Sequence, residues 1–225
     1  MVARYFPGTG RRTAQPHMLR KPIPRAAPRL LLQHKKAEQA QLCLGYPAYP
    51  YGHPQLDALR VLTVILGGNM SSRLFISIRE RRGLAYSIRA STEQYNDAGV
   101  VTVQAGVHRE RIQEALKAIF EELQKVKEHG VTAEELANAK EYLAGTVTLE
   151  LEDSQHVAWW YGRQRLIAGT AETPEERLTA IRRVTARDVQ QVANDLFTRR
   201  TLAAAIIGPY ENRSAFLKLL RTSPA

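Results

Sequence analysis

This 225-residue chain predicts an α+β fold, with helices packed on one mainly antiparallel β-sheet. Three observations carry that prediction. Short segments such as Glu38–Tyr46 alternate apolar and polar residues, the period of a half-buried strand. Apolar residues at helical spacing dominate the second half of the chain, in several consecutive segments. One late apolar run, Thr201–Ile207, then reads as a returning strand. Strands grouped apart from helices give a layered α+β domain rather than alternating βαβ units.

Charge is distributed unevenly. Residues 1–37 hold Arg4, Arg11, Arg12, Arg20, Lys21, Arg25, Arg29, Lys35 and Lys36 with no acid, which is +9 of the net +10. The remaining 188 residues carry 23 basic and 22 acidic side chains. A nucleic-acid-binding domain shows its basic footprint on the fold itself, so this distribution argues against one. Pro7, Pro16, Pro22, Pro24 and Pro28 make residues 1–28 a basic tail or linker, expected to be extended or disordered. Its Arg-rich, acid-free composition also suits an organelle transit peptide, but serine enrichment and an amphipathic helix are missing. Residues 29–225 form the folded domain. No secretory apolar region is visible, and no apolar run approaches the roughly 18 residues of a membrane span. The single cysteine, Cys43, permits no internal disulfide and leaves the compartment unknown.

In order, Arg29–His34 and Glu38–Tyr46 read as strands, the second burying Ala40, Leu42 and Leu44. The Pro/Tyr-rich loop after them offers Tyr46, Tyr49 and Tyr51 either as a binding lip or as packing for the turn. Pro54 suits the first turn of a helix whose apolar set is Leu59, Leu62, Ile65 and Leu66. Ile88–Tyr95 and Val100–Val107 form a hairpin across Asn96, Asp97, Ala98 and Gly99. A helix over Arg111–Glu128 shows the stripe Ile112, Ala115, Leu116, Ile119, Leu123 and Val126. Capping boxes at Thr132/Glu135, Thr173/Glu176 and Thr185/Asp188 start three later helices, and another spans His156–Ile167. Gly208-Pro209 ends the closing strand and a short helix follows.

Few residues are arranged for chemistry. The six histidines are all at least seventeen residues apart, which excludes both orders of a helical His/Glu/His zinc motif. Each reads as a surface or hydrogen-bonded residue. Cys43, on a strand, reads as a small buried hydrophobe. No Gly-x-Ser-x-Gly elbow is present, and Gly67-Gly68 lacks the Lys and Ser/Thr of a phosphate loop. Glu150, Glu152 and Asp153 read as a solvated face or cap, and Trp159 and Trp160 as packing residues. No self-sufficient catalytic set is found.

The chain is organised around Leu66–Ile88, LGGNMSSRLFISIRERRGLAYSI. Two glycines stop an apolar run, Ser71 and Ser72 open a short helix, and Arg79, Arg81 and Arg82 end it. Gly83 is the left-handed terminator, and a strand follows near Tyr86. Arg79 and Tyr86 therefore flank one turn and could point into one space. Composition alone reads them as a surface arginine and a half-buried tyrosine.

This stretch resembles the signature of the second, non-zinc half of pitrilysin/insulinase-type metallopeptidases, the inverzincins. That group includes mitochondrial processing peptidase and core subunits of the respiratory bc1 complex. The resemblance runs from about Arg29 to Pro209 through EQAQLCLG, Asp97-Ala98-Gly99, VTAEEL, LELEDS and Gly208-Pro209. Asn69 stands where a third glycine is more usual. The resemblance implies the LuxS/mitochondrial-processing-peptidase-like metallohydrolase half as the fold. It implies a substrate-binding, non-catalytic half that completes the active chamber of a zinc-bearing partner with His-x-x-Glu-His. It further implies that Arg79 and Tyr86, seven residues apart, contact the peptide in trans at the scissile bond, with zinc in the partner and none in this chain. On that view the chain is inactive alone, and its partner is a homologous peptidase subunit or half. Arg81 and Arg82 read as solvent or interface residues. Two rivals remain: a structural, bc1-core-like assembly subunit, and an anionic-surface or nucleic-acid binder acting through the basic tail.

Overall fold

The computed structural model describes residues 27–222, so the expected tail lies almost wholly outside the described residues. Five strands form one sheet: β1 (Arg29–His34), β2 (Gln39–Ala48), β3 (Ala85–Gln94), β4 (Gly99–His108) and β5 (Ala203–Gly208). Their order is β1-β5-β2-β4-β3. β1 and β5 run parallel, and every other pair is antiparallel. The predicted α+β class, mainly antiparallel, is the observed one.

Period-2 patterning fixes which face is covered. Ala40, Leu42, Leu44 and Tyr46 of β2 are buried beside Val101, Val103, Ala105 and Val107 of β4. Alternate positions show Gln41, Cys43, Thr102 and Gln104 on the open face, where Ser91 and Thr102 hydroxyls bond at 2.9 Å. Cys43 is therefore a half-exposed residue of that face, not the buried hydrophobe expected. Its thiol pKa is raised by partial burial.

The apolar face is covered by α1 (Leu56–Gly67), α2 (Ile112–His129), α6 (Ala186–Leu196) and α7 (Arg213–Thr222). Between α2 and α6 come α3 (Ala133–Glu150), α4 (Ser154–Ala168) and α5 (Pro174–Arg183). The stripe expected on α1 underestimates it: Leu56, Val61 and Val64 are buried as well as Leu59, Leu62, Ile65 and Leu66. Burial of each such side chain is worth about 1.5–3 kcal/mol. Pro54 falls ahead of the helix, since α1 starts at Leu56 after Gln55. The Thr132, Thr173 and Thr185 capping boxes all form, and Asp153 caps α4 by accepting from the Gln155 N–H at 2.8 Å. Tyr46 lies in the core, edge-on to Phe197 at 5.1 Å, so it belongs to no lip. Arg177 pairs with Asp57 at 2.7 Å and with Glu172, fastening α5 to the start of α1.

No helix among the described residues is long and apolar enough to cross a membrane.

Candidate functional site

The segment from Gly67 to Ser87 is held by contacts its sequence supplies. Asn69 takes up the turn with its side chain, whose Oδ1 accepts from the Ser71 N–H at 2.9 Å. The Ser72 hydroxyl donates to the Asn69 carbonyl at 2.6 Å. The helix that follows is a π-helix over Phe75–Arg81, with Leu74 and Ile78 buried. Its wider turn is a rare device that is frequent at functional sites. It closes when the Leu84 N–H reaches back to the Ile78 carbonyl at 2.9 Å, and Gly83 takes the required positive φ of 58°.

Neighbouring helices pin this π-helix. Arg73 grips Glu135 of α3 with two bonds of 2.6 and 2.8 Å and donates to the Gly130 carbonyl at 3.0 Å. The Ser77 hydroxyl meets the buried Glu122 of α2 at 2.8 Å, and Arg82 pairs with Glu121 at 2.9 Å. Of the four arginines between 73 and 82, two are thus committed to carboxylates. Arg79 is exposed, and its guanidinium lies over the Phe75 ring at 4.7 Å.

Burial alone would push the Glu135 carboxyl up, but bonds from Arg73 and Thr132 outweigh it and hold its pKa below the ordinary 4.5. A depressed carboxylate contributes stability above its unfolded pKa and loses it as pH falls through the folded one. Acid titration of the wild type should therefore show a loss of stability below about pH 4.5 that Glu135→Gln lacks. Identical acid profiles, followed by circular dichroism, would contradict this.

A second irregularity places Tyr86. Ala85 opposes Val107 and Ser87 opposes Gly106, so Tyr86 is the extra residue of a β-bulge. Bulges bend a strand and re-aim side chains, often next to active sites. Here the bulge leaves both Tyr86 and Ser87 exposed on β3, the edge strand of the sheet. Tyr86 is 52% exposed and borders a hollow of about 200 Å³ with His108, Glu110 and Arg111. Arg111 is bound to Glu114 by two 3.0 Å bonds and holds that carboxyl below its ordinary pKa. Arg79 does not line this hollow, so the structure puts Arg79 and Tyr86 on either side of one turn without joining them in one cavity. His108, Glu110 and Arg111 were not singled out from the sequence, being brought to Tyr86 only by β4 pairing.

Among the described residues no three His, Cys, Asp or Glu are grouped so as to hold a metal ion, and these residues do not fit a zinc site. Trp159, expected to pack, is 66% exposed, whereas Trp160 donates its indole N–H to the Glu172 carbonyl at 2.8 Å.

A mainly antiparallel sheet backed by helices is the fold this chain shares with a peptidase M16 inactive domain from Pseudomonas fluorescens. The two superpose with a TM-score of 0.77 at 21% identity, over 85% of this chain and 46% of that one. Residues 1–143 match the family described as the peptidase M16 inactive domain, and the chain belongs to that family. It is 37% identical to an uncharacterized zinc protease of Bacillus subtilis over 182 residues, 81% of this chain and 44% of that protein. An uncharacterized zinc protease of Streptomyces coelicolor is also 37% identical, over 209 residues, 93% of this chain and 43% of the relative. The chain spans less than half the length of these curated relatives.

Proposed function

We propose that this chain is the substrate-binding, non-catalytic half of an insulinase-like zinc metalloendopeptidase. Residues 29–225 make up that half, and residues 1–28 serve as a tail or as the linker between halves. Zinc belongs to a homologous partner carrying His-x-x-Glu-His, and the two together enclose the peptide. Arg79 and Tyr86 donate hydrogen bonds to the peptide at the scissile bond, where negative charge grows on the carbonyl oxygen as it is attacked. Donors aimed at such a charge act by electrostatic stabilisation and need transfer no proton.

One observation carries this assignment. A π-helix and a β-bulge, either side of Gly83, leave Arg79 and Tyr86 exposed with no hydrogen-bond partner among the described residues, while Arg73 and Arg82 beside them are spent on ion pairs. The likeness to proteins named zinc proteases supports it.

The chain purified from its own cells should bring with it a His-x-x-Glu-His protein, with about one zinc per assembled pair. Recovery of a zinc-free chain without such a partner would overturn the peptidase role. Binding to DNA or anionic vesicles that falls steeply with salt would favour the tail as the functional part instead.

A further inference from the structure

Two helices repeat one exposed pattern. On α3 it is Tyr142, Gly145 and Leu149; on α4 it is Trp159, Gly162 and Leu166. Each set follows i, i+3, i+7 spacing, which places the three residues on one helix face. The large side chains point outward, with Tyr142 43%, Leu149 67%, Trp159 66% and Leu166 87% exposed. A Cβ built on Gly145 or Gly162 meets nothing within 4 Å. α4 buries only Gln164 of its fifteen residues, and α3 only Ala139 and Val147 of eighteen. A surface helix normally turns its apolar stripe to the core. These two keep an aromatic and a leucine on the solvent side.

The glycines sharpen the point. Glycine in a helix interior is about 1 kcal/mol less favourable than alanine. Among the described residues nothing uses the space that Gly145 and Gly162 leave open. A glycine notch between two bulky apolar residues is a hole that takes a side chain from a second helix at close approach. The α3 face also adjoins the candidate site: the Tyr142 hydroxyl donates to the Gly68 carbonyl at 3.3 Å, on the turn leading to the Arg79 helix. Met70, in that same turn, is 76% exposed.

We propose that these two helix faces are the docking surface for the partner half, helix against helix. The occupant follows from length. The Bacillus subtilis and Streptomyces coelicolor relatives hold more than half their chain outside the region matched here, enough for a second domain of similar size. Such a domain packing on this one would cover the α3 face and the α4 face, each of which is apolar, notched and left open by the described residues. The assignment rests on the peptidase role proposed above.

The test uses the tagged native chain, expressed in its own cells, as wild type, Gly162→Leu, Gly145→Leu, and Trp159→Ser combined with Leu166→Ser. Recovered proteins are identified by mass spectrometry and zinc is measured. Leucine at either open glycine improves helix propensity, so the melting temperature of the purified chain should not fall. Recovery of the zinc-bearing partner should drop by about tenfold or more in each variant, as when an interface anchor is lost. Variants that recover the partner and its peptidase activity as the wild type does would overturn this docking surface and leave the peptidase role standing. A wild type that recovers no zinc-bearing partner would overturn both. Self-association of the wild type, lost in the variants, would make the occupant a second copy and overturn the one proposed.

Discussion

Arg79→Ala and Tyr86→Phe are each expected to lower kcat of the assembled peptidase by roughly 10²–10³, the usual effect of removing one charge-stabilising donor. Stability and assembly should not move. Tyr86→Phe deletes only a hydroxyl with no partner among the described residues, on a side chain that is half exposed. Arg79→Ala removes a guanidinium whose contact is the Phe75 ring at 4.7 Å, worth about 0.5–1 kcal/mol at an exposed position. Arg81→Ala is the control, since Arg81 is equally exposed and equally charged but lies at a different angle on the helix. The split between constants matters as much as the size. A donor whose bond strengthens only as charge develops lowers kcat and kcat/KM together, whereas a donor that merely holds the peptide raises KM alone. An Arg79→Ala, Tyr86→Phe double variant that assembles and cleaves like wild type would sink the peptidase role and leave a structural subunit.

The fold was legible because its signals are local. Alternation over Gln39–Tyr46, the hairpin at Asn96–Gly99 and three capping boxes each depend on residues within a few positions of one another, and each forms. The two devices that aim the candidate site were not legible. A π-turn differs from an α-turn by one residue, and Leu74 and Ile78 fit either period. The bulge did leave a trace: in Leu84-Ala85-Tyr86-Ser87-Ile88 two buried residues precede two exposed ones, which breaks strict alternation. Only the pairing with β4 shows which residue is the extra one. Trp159 misled for a different reason. Its size argues for burial in any composition-based reading, but α4 leaves it largely exposed at the edge of a groove shared with Leu143 and Ile181, which depends on how α3, α4 and α5 pack rather than on residues near it in sequence.

Gly67 is where fold and site are coupled, and Gly67→Ala is expected to be strongly destabilising. Sequence reads Gly67 as the stop of an apolar run; the structure shows a contact. A Cβ there would lie 2.3 Å from the Ala90 backbone nitrogen, 2.9 Å from the Ala90 Cβ and 3.0 Å from the Arg89 carbonyl carbon. These are main-chain atoms and a Cβ of β3, so no flexible side chain can swing aside, and α1 must lift off the sheet. Overpacking of this kind costs about 3 kcal/mol, partly offset by the better helix propensity of alanine, about 1 kcal/mol. For a chain of this size the melting temperature should fall by roughly 4–8 °C. The same substitution at Gly145 or Gly162, where nothing lies within 4 Å, should leave it unchanged or raise it. Sign reversal between identical mutations separates close approach from helix propensity, and equal effects at all three positions would refute the contact. Activity should fall further than stability accounts for, because Gly67 and Gly68 launch the turn through Asn69 that sets the start of the π-helix. Lifting α1 by even a fraction of an ångström displaces that turn, and in the proposed role a misplaced Arg79 would lose its aim at the scissile bond although its side chain is unchanged.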